Sequence, residues 1–384
     1  MNLFFLYLVE LRRLALRKQI WLAAALCLCT PILGYTVYKP AWSDILSDQY
    51  IANPALAATA AGAALWAAAV IMESSRLHRS GADVIMDAAA SQTGLSVVRM
   101  AAMMTLAAAV AVVCALIYLP FTSAKMEYLF QMRFYLANYG VFVIPTWWIS
   151  MLFADSFYQI TRRVELSALM YAVFAAYSFS RNIDSDYFMS WLNPIVAAYS
   201  DGFTSWWPLR IGAYTREMWL CAAAALWLVS LLCTRRYGKN MAGSFVKGMK
   251  RIYMPVLAAV LAAAGIYMYQ NQPFIDHGAS EWIDENNIIA SPVTDASSVR
   301  YSILAEPATG KLTGRAEYTL EKPYCGEDRL LLNPGYKVKS MTYGGKKVEY
   351  RTVVDDLNGV RSTYFTLPDV PGETLVIEYG GLPT

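Results

Sequence analysis

Over the first two-thirds of the chain apolar residues come in blocks rather than alternating with polar ones. Seven stretches, 20–38, 54–72, 101–119, 139–157, 164–179, 217–233 and 252–269, are almost continuous in aliphatic, alanine and aromatic residues. A helix needs about 20 such residues to cross roughly 30 Å of hydrocarbon. The blocks therefore predict a multi-pass bundle of six to seven spans, with 164–179 the short one. Ahead of the first block, Leu8, Leu11, Leu14 and Leu16 mix with Glu10, Arg12, Arg13, Arg17 and Lys18. That pattern predicts an amphipathic helix over 1–19, lying on the inner membrane face. No small-residue cleavage pattern follows Tyr38, so the first block reads as an uncleaved anchor. The spans are rich in Ala, which lets helix backbones approach closely, and Pro31 and Pro145 are expected to kink their helices.

After Tyr269 the period changes. A polar linker over 270–296 leads into segments that alternate every second residue. Val299, Tyr301 and Ile303 interleave with Ser298, Arg300 and Ser302, and Ala316, Tyr318 and Leu320 with Arg315, Glu317 and Thr319. Period 2 with one polar face predicts half-buried antiparallel strands. Further strands are expected at 330–332, 336–343, 347–353, 362–367 and 374–379, with turns at Asn333-Pro-Gly335, Gly344-Gly345, Asn358-Gly359 and Pro371-Gly372. The expected fold is an α-helical membrane bundle over 20–269, followed by a small all-β, sandwich-like extracytoplasmic domain over 297–384.

Composition agrees with that division. The chain is 57% hydrophobic and 16% charged, with a mean hydropathy of +0.34; a soluble domain sits nearer half apolar and roughly a quarter charged. Residues 1–269 carry 21 Lys and Arg against 13 Asp and Glu, a balance of +8, whereas 270–384 carry 11 against 16, a balance of −5. With the N-terminus inside, 15 basic residues fall in inner segments and six in outer loops, as the positive-inside rule requires. Seven spans from an inside start put the β domain outside the cell membrane. The basic residues flank apolar spans rather than forming an aromatic-studded patch, which disfavours nucleic acid as a partner.

Candidate chemistry is sparse. The six cysteines show no framework of pairs in the exported part, and His78 and His277 stand far apart without a Cys pair at ligand spacing, so neither disulfides nor a metal site is expected. No Gly-x-x-x-x-Gly-Lys-Ser/Thr loop occurs; if ATP drives this protein, a separate subunit binds it. Asp155 and Glu165 are the acids at the spans. An acid at such a position is a functional candidate, although Asp155 can also reach the interface or pair with Arg162 or Arg163. There is no ladder of acids or histidines for a proton relay. The outer loop over 180–216 carries Tyr187, Phe188, Trp191, Trp206 and Trp207 around Asn193-Pro194, expected as an interfacial belt or a re-entrant segment.

The inner loop between the second and third blocks begins Glu73-Ser-Ser-Arg-Leu-His-Arg-Ser-Gly81 and passes through Val84-Ile-Met86 to Arg99. With the interfacial helix before the first span, it resembles the permease subunits of type-2 ABC exporters. The resemblance implies a coupling helix seated on an ATP-binding cassette subunit, with Glu73, Arg76, Arg79, Gly81 and Ile85 as ATPase-coupling residues. It also implies no cofactor in this chain, ATP being bound by the partner, and a homodimer or paired permease in the lipid bilayer.

The segment 299–384 is similar to the start of the N-terminal β domain of the aminopeptidase N family of zinc peptidases. The likeness rests on Tyr301-Ser-Ile303, Leu312-Thr-Gly314, Leu330-Leu-Leu332, Val338 before Gly344-Gly345, Leu367-Pro368 and Ile377-Glu-Tyr-Gly-Gly381. Bacterial fusions of an exporter body to such a peptidase share this layout. The family's His-Glu-x-x-His is not present, so no catalytic residues are expected here. The β domain is expected to be incomplete, and its exposed strand edge to bind a peptide if anything. The alternative to transport is a membrane anchor displaying this domain.

Overall fold

A computed structural model describes residues 3–41, 45–80, 92–181, 187–192, 199, 201, 206–233, 243, 246, 252–272, 296–306, 311–320, 326–331, 336–354, 361–367 and 374–381. The chain divides into two compact units, Met1–Asp201 with Pro208–Asn271, and Gly202–Trp207 with Gln272–Thr384.

The first unit is helical: α1 (Leu3–Ala15), α2 (Lys18–Thr36), α3 (Asn53–Arg79), α4 (Gln92–Met126), α5 (Met132–Asn138), α6 (Ile144–Thr161), α7 (Val164–Arg181), α8 (Trp206–Leu232) and α9 (Tyr253–Gln270). Among the described residues, six of its helical segments are long and apolar enough to cross a membrane, and Val164–Phe179 is a shorter apolar helix. Each apolar block thus lies largely in a helix, but α3, α4 and α8 extend well past the expected limits, by seven to eleven residues at one end or both.

The core of this unit is built on α3, which packs chiefly against α2 and α6. Small residues make that possible. A Cβ at Gly62 would stand 2.4 Å from the Trp147 indole, and one at Gly34 2.4 Å from the Asn53 carbonyl oxygen. Trp147 lies 6.2 Å from Trp66, ring to ring, and donates to the Ala58 carbonyl at 3.0 Å. Ser150 donates to the Ala63 carbonyl at 2.7 Å. Both side chains thereby find an acceptor inside an apolar interior, where an unpaired donor would be costly.

Pro145 lies within a helical run that continues from Met132 to Thr161. It sits in the first turn of α6, after a π-helical turn over Tyr139–Val143 in which the Ile144 N–H reaches back to the Tyr139 carbonyl. Pro54 follows a matching π turn over Asp48–Ala52. A proline has no N–H for the regular ladder, and the preceding turn widens around it. Pro31 does lie inside α2.

The second unit holds two antiparallel sheets formed by β1 (Ala296–Glu306), β2 (Lys311–Leu320), β3 (Gly326–Leu331), β4 (Tyr336–Tyr343), β5 (Lys346–Lys347), β6 (Tyr350–Val354), β7 (Arg361–Leu367) and β8 (Thr374–Gly381). One sheet has the order β1-β2-β8-β4-β5, the other β3-β7-β6. Met341, Tyr343, Val348, Phe365, Leu375 and Ile377 are buried in a core shared by both. The β4–β5 turn has Gly344 at φ 54° and Gly345 at φ 80°, the positive pair that a two-residue hairpin requires. The strand expected over 347–353 is broken: β5 pairs with β4 in the first sheet, and β6 pairs with β7 in the second. Buried Val348 marks the crossing and donates from its backbone to Met341 at 2.9 Å.

Candidate functional site

Polar side chains from five helices meet at the end of the bundle where α3 ends and α4 begins. Glu10 and Arg13 share one face of α1, three residues apart, and pair at 2.8 Å. Arg13 also pairs with Glu73 of α3 at 2.5 Å. Both carboxylates are buried, Glu10 at 2% and Glu73 at 3% exposure. Burial acts to lower the Arg13 pKa, but its bond to Glu73 and the fields of Glu10 and Glu73 outweigh that and hold it above its ordinary value.

The next residue of α3 carries the network inward. Ser74 donates to Asp155 Oδ1 of α6 at 2.8 Å, Gln159 donates to the same oxygen at 3.3 Å, and Trp227 Nε1 of α8 donates to Oδ2 at 2.8 Å. Asp155 is 5% exposed. Its hydrogen-bond donors are therefore neutral side chains of three helices rather than the expected Arg162 or Arg163. This corrects the local pairing: Arg162 ends α6 in a left-handed conformation, where the chain turns toward α7. Arg99 of α4 completes the group, lining with Glu73, Ser74 and Asp155 a cavity of about 20 Å³. That is room for a single water molecule, and the buried Arg99 Nε has no hydrogen-bond partner among the described residues.

Of the expected coupling residues, the structure brings Glu73 into this network and places Arg76 at its margin, 3.9 Å from Glu73. Arg79 is exposed at the last turn of α3. Gly81 and Ile85 lie outside the described residues. Glu73 faces the chain's own Arg13 rather than solvent, which follows from α1 lying against the bundle. Tyr7 donates to Thr105 at 2.9 Å, 13 residues into α4, about 20 Å along it. The first turns of α1, uncharged before Glu10, run back along α4 with Leu3, Phe4 and Phe5 exposed.

Nothing in the apolar blocks singles out Arg99, Gln159 or Trp227. The available signals are faint: an arginine two residues ahead of the 101–119 apolar block, and an acid on another span that needs donors.

Toward the other end, Phe188 and Trp191 are fully buried rather than lying in a surface belt. Trp191 stacks on Phe174 at 5.3 Å and 15° and sits 5.4 Å from Phe153. Arg216 of α8 pins this segment, donating to the Ser190 and Trp191 carbonyls and to Thr146. A planar guanidinium can serve several carbonyls at once, which an ammonium cannot match in geometry. The side chains of Tyr187, Trp206 and Trp207, and all of Asn193-Pro194, lie outside the described ones.

Among the described residues no three of His, Cys, Asp and Glu gather as a metal site. The chain matches no protein-family profile, and comparison with curated proteins and with solved structures finds no match either.

Proposed function

We propose that this chain is the permease subunit of an ABC-type exporter, moving a substrate outward with energy from a separate ATP-binding subunit. The observation that carries this reading is the buried Arg13–Glu73 pair, six residues before α3 ends and the stretch expected to dock begins. Force applied to that stretch would move α3, then α1 through Glu73, then α6 and α8 through Ser74, Asp155 and Trp227. Glu73 is then a positioning residue inside the chain, and Arg79 is the exposed charge for the partner. In this reading α1 and the docking stretch face the cytoplasm, as the excess of inner Lys and Arg favours, and the β unit lies outside. ATP hydrolysis belongs to the partner, and two permease copies pair so that two ATPases can close together.

The test is purification from native membranes in mild detergent, with mass spectrometry of what co-elutes. A stoichiometric ATP-binding subunit is expected, and Arg79→Glu should lower its recovery about tenfold, the equivalent of ~1.4 kcal/mol. An intact chain that elutes with no ATP-binding subunit overturns the proposal.

One observation favours the second reading, an anchor that displays a peptide-binding or aminopeptidase-like β domain: the β unit is compact by itself, with its own core. Retained function after replacing the helices with an unrelated anchor would decide for it.

A further inference from the structure

The β unit is unevenly covered. Val299, Tyr301 and Ile303 of β1 sit opposite Tyr318, Ala316 and Gly314 of β2. Side chains of directly opposed residues share a face of the sheet, so the β1 trio belongs to the core side. Tyr318 and Ala316 are buried there at 8% and 2% exposure, whereas Val299, Tyr301 and Ile303 are 41%, 56% and 56% exposed. The expectation that this strand is half-buried fails for that reason: among the described residues the three-stranded sheet does not reach over it.

Among the described residues β1 is also the edge of its sheet. It runs 11 residues, without proline or glycine and with charges only at Arg300 and Glu306. Soluble edges are ordinarily kept short, or are blunted by lysine, proline or a bulge. This one has a bulge only at its start, between Ala296 and Ser298. From Ser298 to Ala305 no other described strand pairs with its outward side, so a regular row of outward N–H and C=O groups runs beside an uncovered apolar stripe.

The edge matches itself. Laid antiparallel to a second copy with Tyr301 opposite Tyr301, it sets Val299 opposite Ile303 in both halves and Arg300 opposite Ser302. Apolar groups meet apolar groups, and no like charges stand directly opposed. A two-fold contact demands this reciprocity, in which residue i meets j while j meets i.

We propose that β1 is a dimerisation edge: two copies of this chain pair β1 to β1 about Tyr301, joining two five-stranded sheets into one and setting the two apolar stripes side by side on one face. The proposal goes beyond the transport reading and does not need it, since no ATP-binding subunit enters the contact or its test.

The experiment uses the full chain in lipid nanodiscs or mild detergent, with the six native cysteines changed to serine. Tyr301→Cys should form a disulfide dimer of about twice the 42.8 kDa chain mass under gentle oxidation. Opposed Cα atoms in either kind of antiparallel pair stand about 4.5–5.5 Å apart, within disulfide reach. Arg315→Cys, one strand further in, should not cross-link. Independently of any cysteine, Ile303→Lys should weaken the dimer about tenfold in native mass spectrometry, because each substitution is felt twice across the axis. Three results overturn the proposal. One is a monomer at all concentrations with no Tyr301→Cys cross-link. Another is a dimer that survives Ile303→Lys, which assigns the contact to the helices. The last is a monomer whose β1 amides resist hydrogen exchange, which assigns the edge to residues 273–295 or to a bound peptide.

Discussion

The carboxylate of Glu73 on α3 meets the guanidinium of Arg13 on α1 at 2.5 Å, across 60 residues of sequence. Glu10 takes a second side of the same guanidinium. One cation thus serves two buried acids, and the three side chains fix α1 to the bundle.

That arrangement ranks three substitutions. Arg13→Met leaves two buried carboxylates without their cation and should be the most damaging, near the ~3–5 kcal/mol of a broken buried pair. Glu73→Gln should cost about 2 kcal/mol, because Gln still accepts from Arg13 and Glu10 still balances its charge. Arg13→Met combined with Glu73→Met should lie closer to the parent than Arg13→Met alone. Thermal unfolding in detergent measures the order, and equal midpoints for all three would show that α1 is not held by this pair.

Asp155 depends on a different kind of partner. Trp227→Phe keeps the ring but removes the N–H that Asp155 Oδ2 accepts at 2.8 Å. Leaving a buried carboxylate oxygen unsatisfied costs about 1–3 kcal/mol. Trp219→Phe in the same helix, whose N–H goes to the Phe188 carbonyl, should cost less, since it leaves a neutral acceptor. The two unfolding midpoints side by side check it; an unchanged Trp227→Phe midpoint would mean that Ser74 and Gln159 suffice.

Much of the architecture is written in local pattern. The apolar blocks and the period-2 segments each carry their own periodicity, so the presence and type of each helix and strand follow from them, whereas limits such as those of α4 and the break between β5 and β6 do not. Gly344-Gly345 announces its hairpin in the same way. The site is less legible because its geometry is set by packing between helices. Glu73 reads as a loop charge until α1 folds back and supplies Arg13, and Trp227 reads as one more apolar residue until its N–H finds Asp155. Phe188 and Trp191 fit an interfacial belt by composition, yet Arg216 supplies the donors that let the backbone carbonyls of this segment be buried. The uncovered state of β1 is invisible in its alternation, since an exposed stripe and a half-buried one are spelled alike.

At Gly62, α3 packs directly against the Trp147 ring of α6. Gly62→Ala places a methyl where the Trp147 ring stands, and the neighbouring Trp66 limits how far that ring can move. Overpacking of this kind costs roughly 1–3 kcal/mol. Adding Trp147→Phe should recover part of the loss by opening space, at the expense of the bond to the Ala58 carbonyl. A double-mutant cycle on thermal midpoints reads the coupling, and strict additivity would contradict the contact.

The β unit should weaken in alkali, and Tyr318 is the reason. Burial, then its hydroxyl contact with Tyr301, raises the Tyr318 pKa above the ordinary phenol value; burial likewise raises Tyr379. A phenol raised on folding is held neutral by the fold. Its contribution is therefore fully present below the unfolded value, near 10, and is lost as pH rises from there through the folded value. Tyr318→Phe cannot ionise, so its stability should fall less steeply above pH ~10 than that of the parent. The loss of the hydroxyl contact should appear as a small offset at neutral pH. Difference absorbance near the phenolate band, parent minus Tyr318→Phe in the full chain, should show one phenolate appearing only above the main tyrosine transition. A difference curve centred near pH ~10 would show that Tyr318 titrates as if in water, and with it that the core face of β2 is open to solvent.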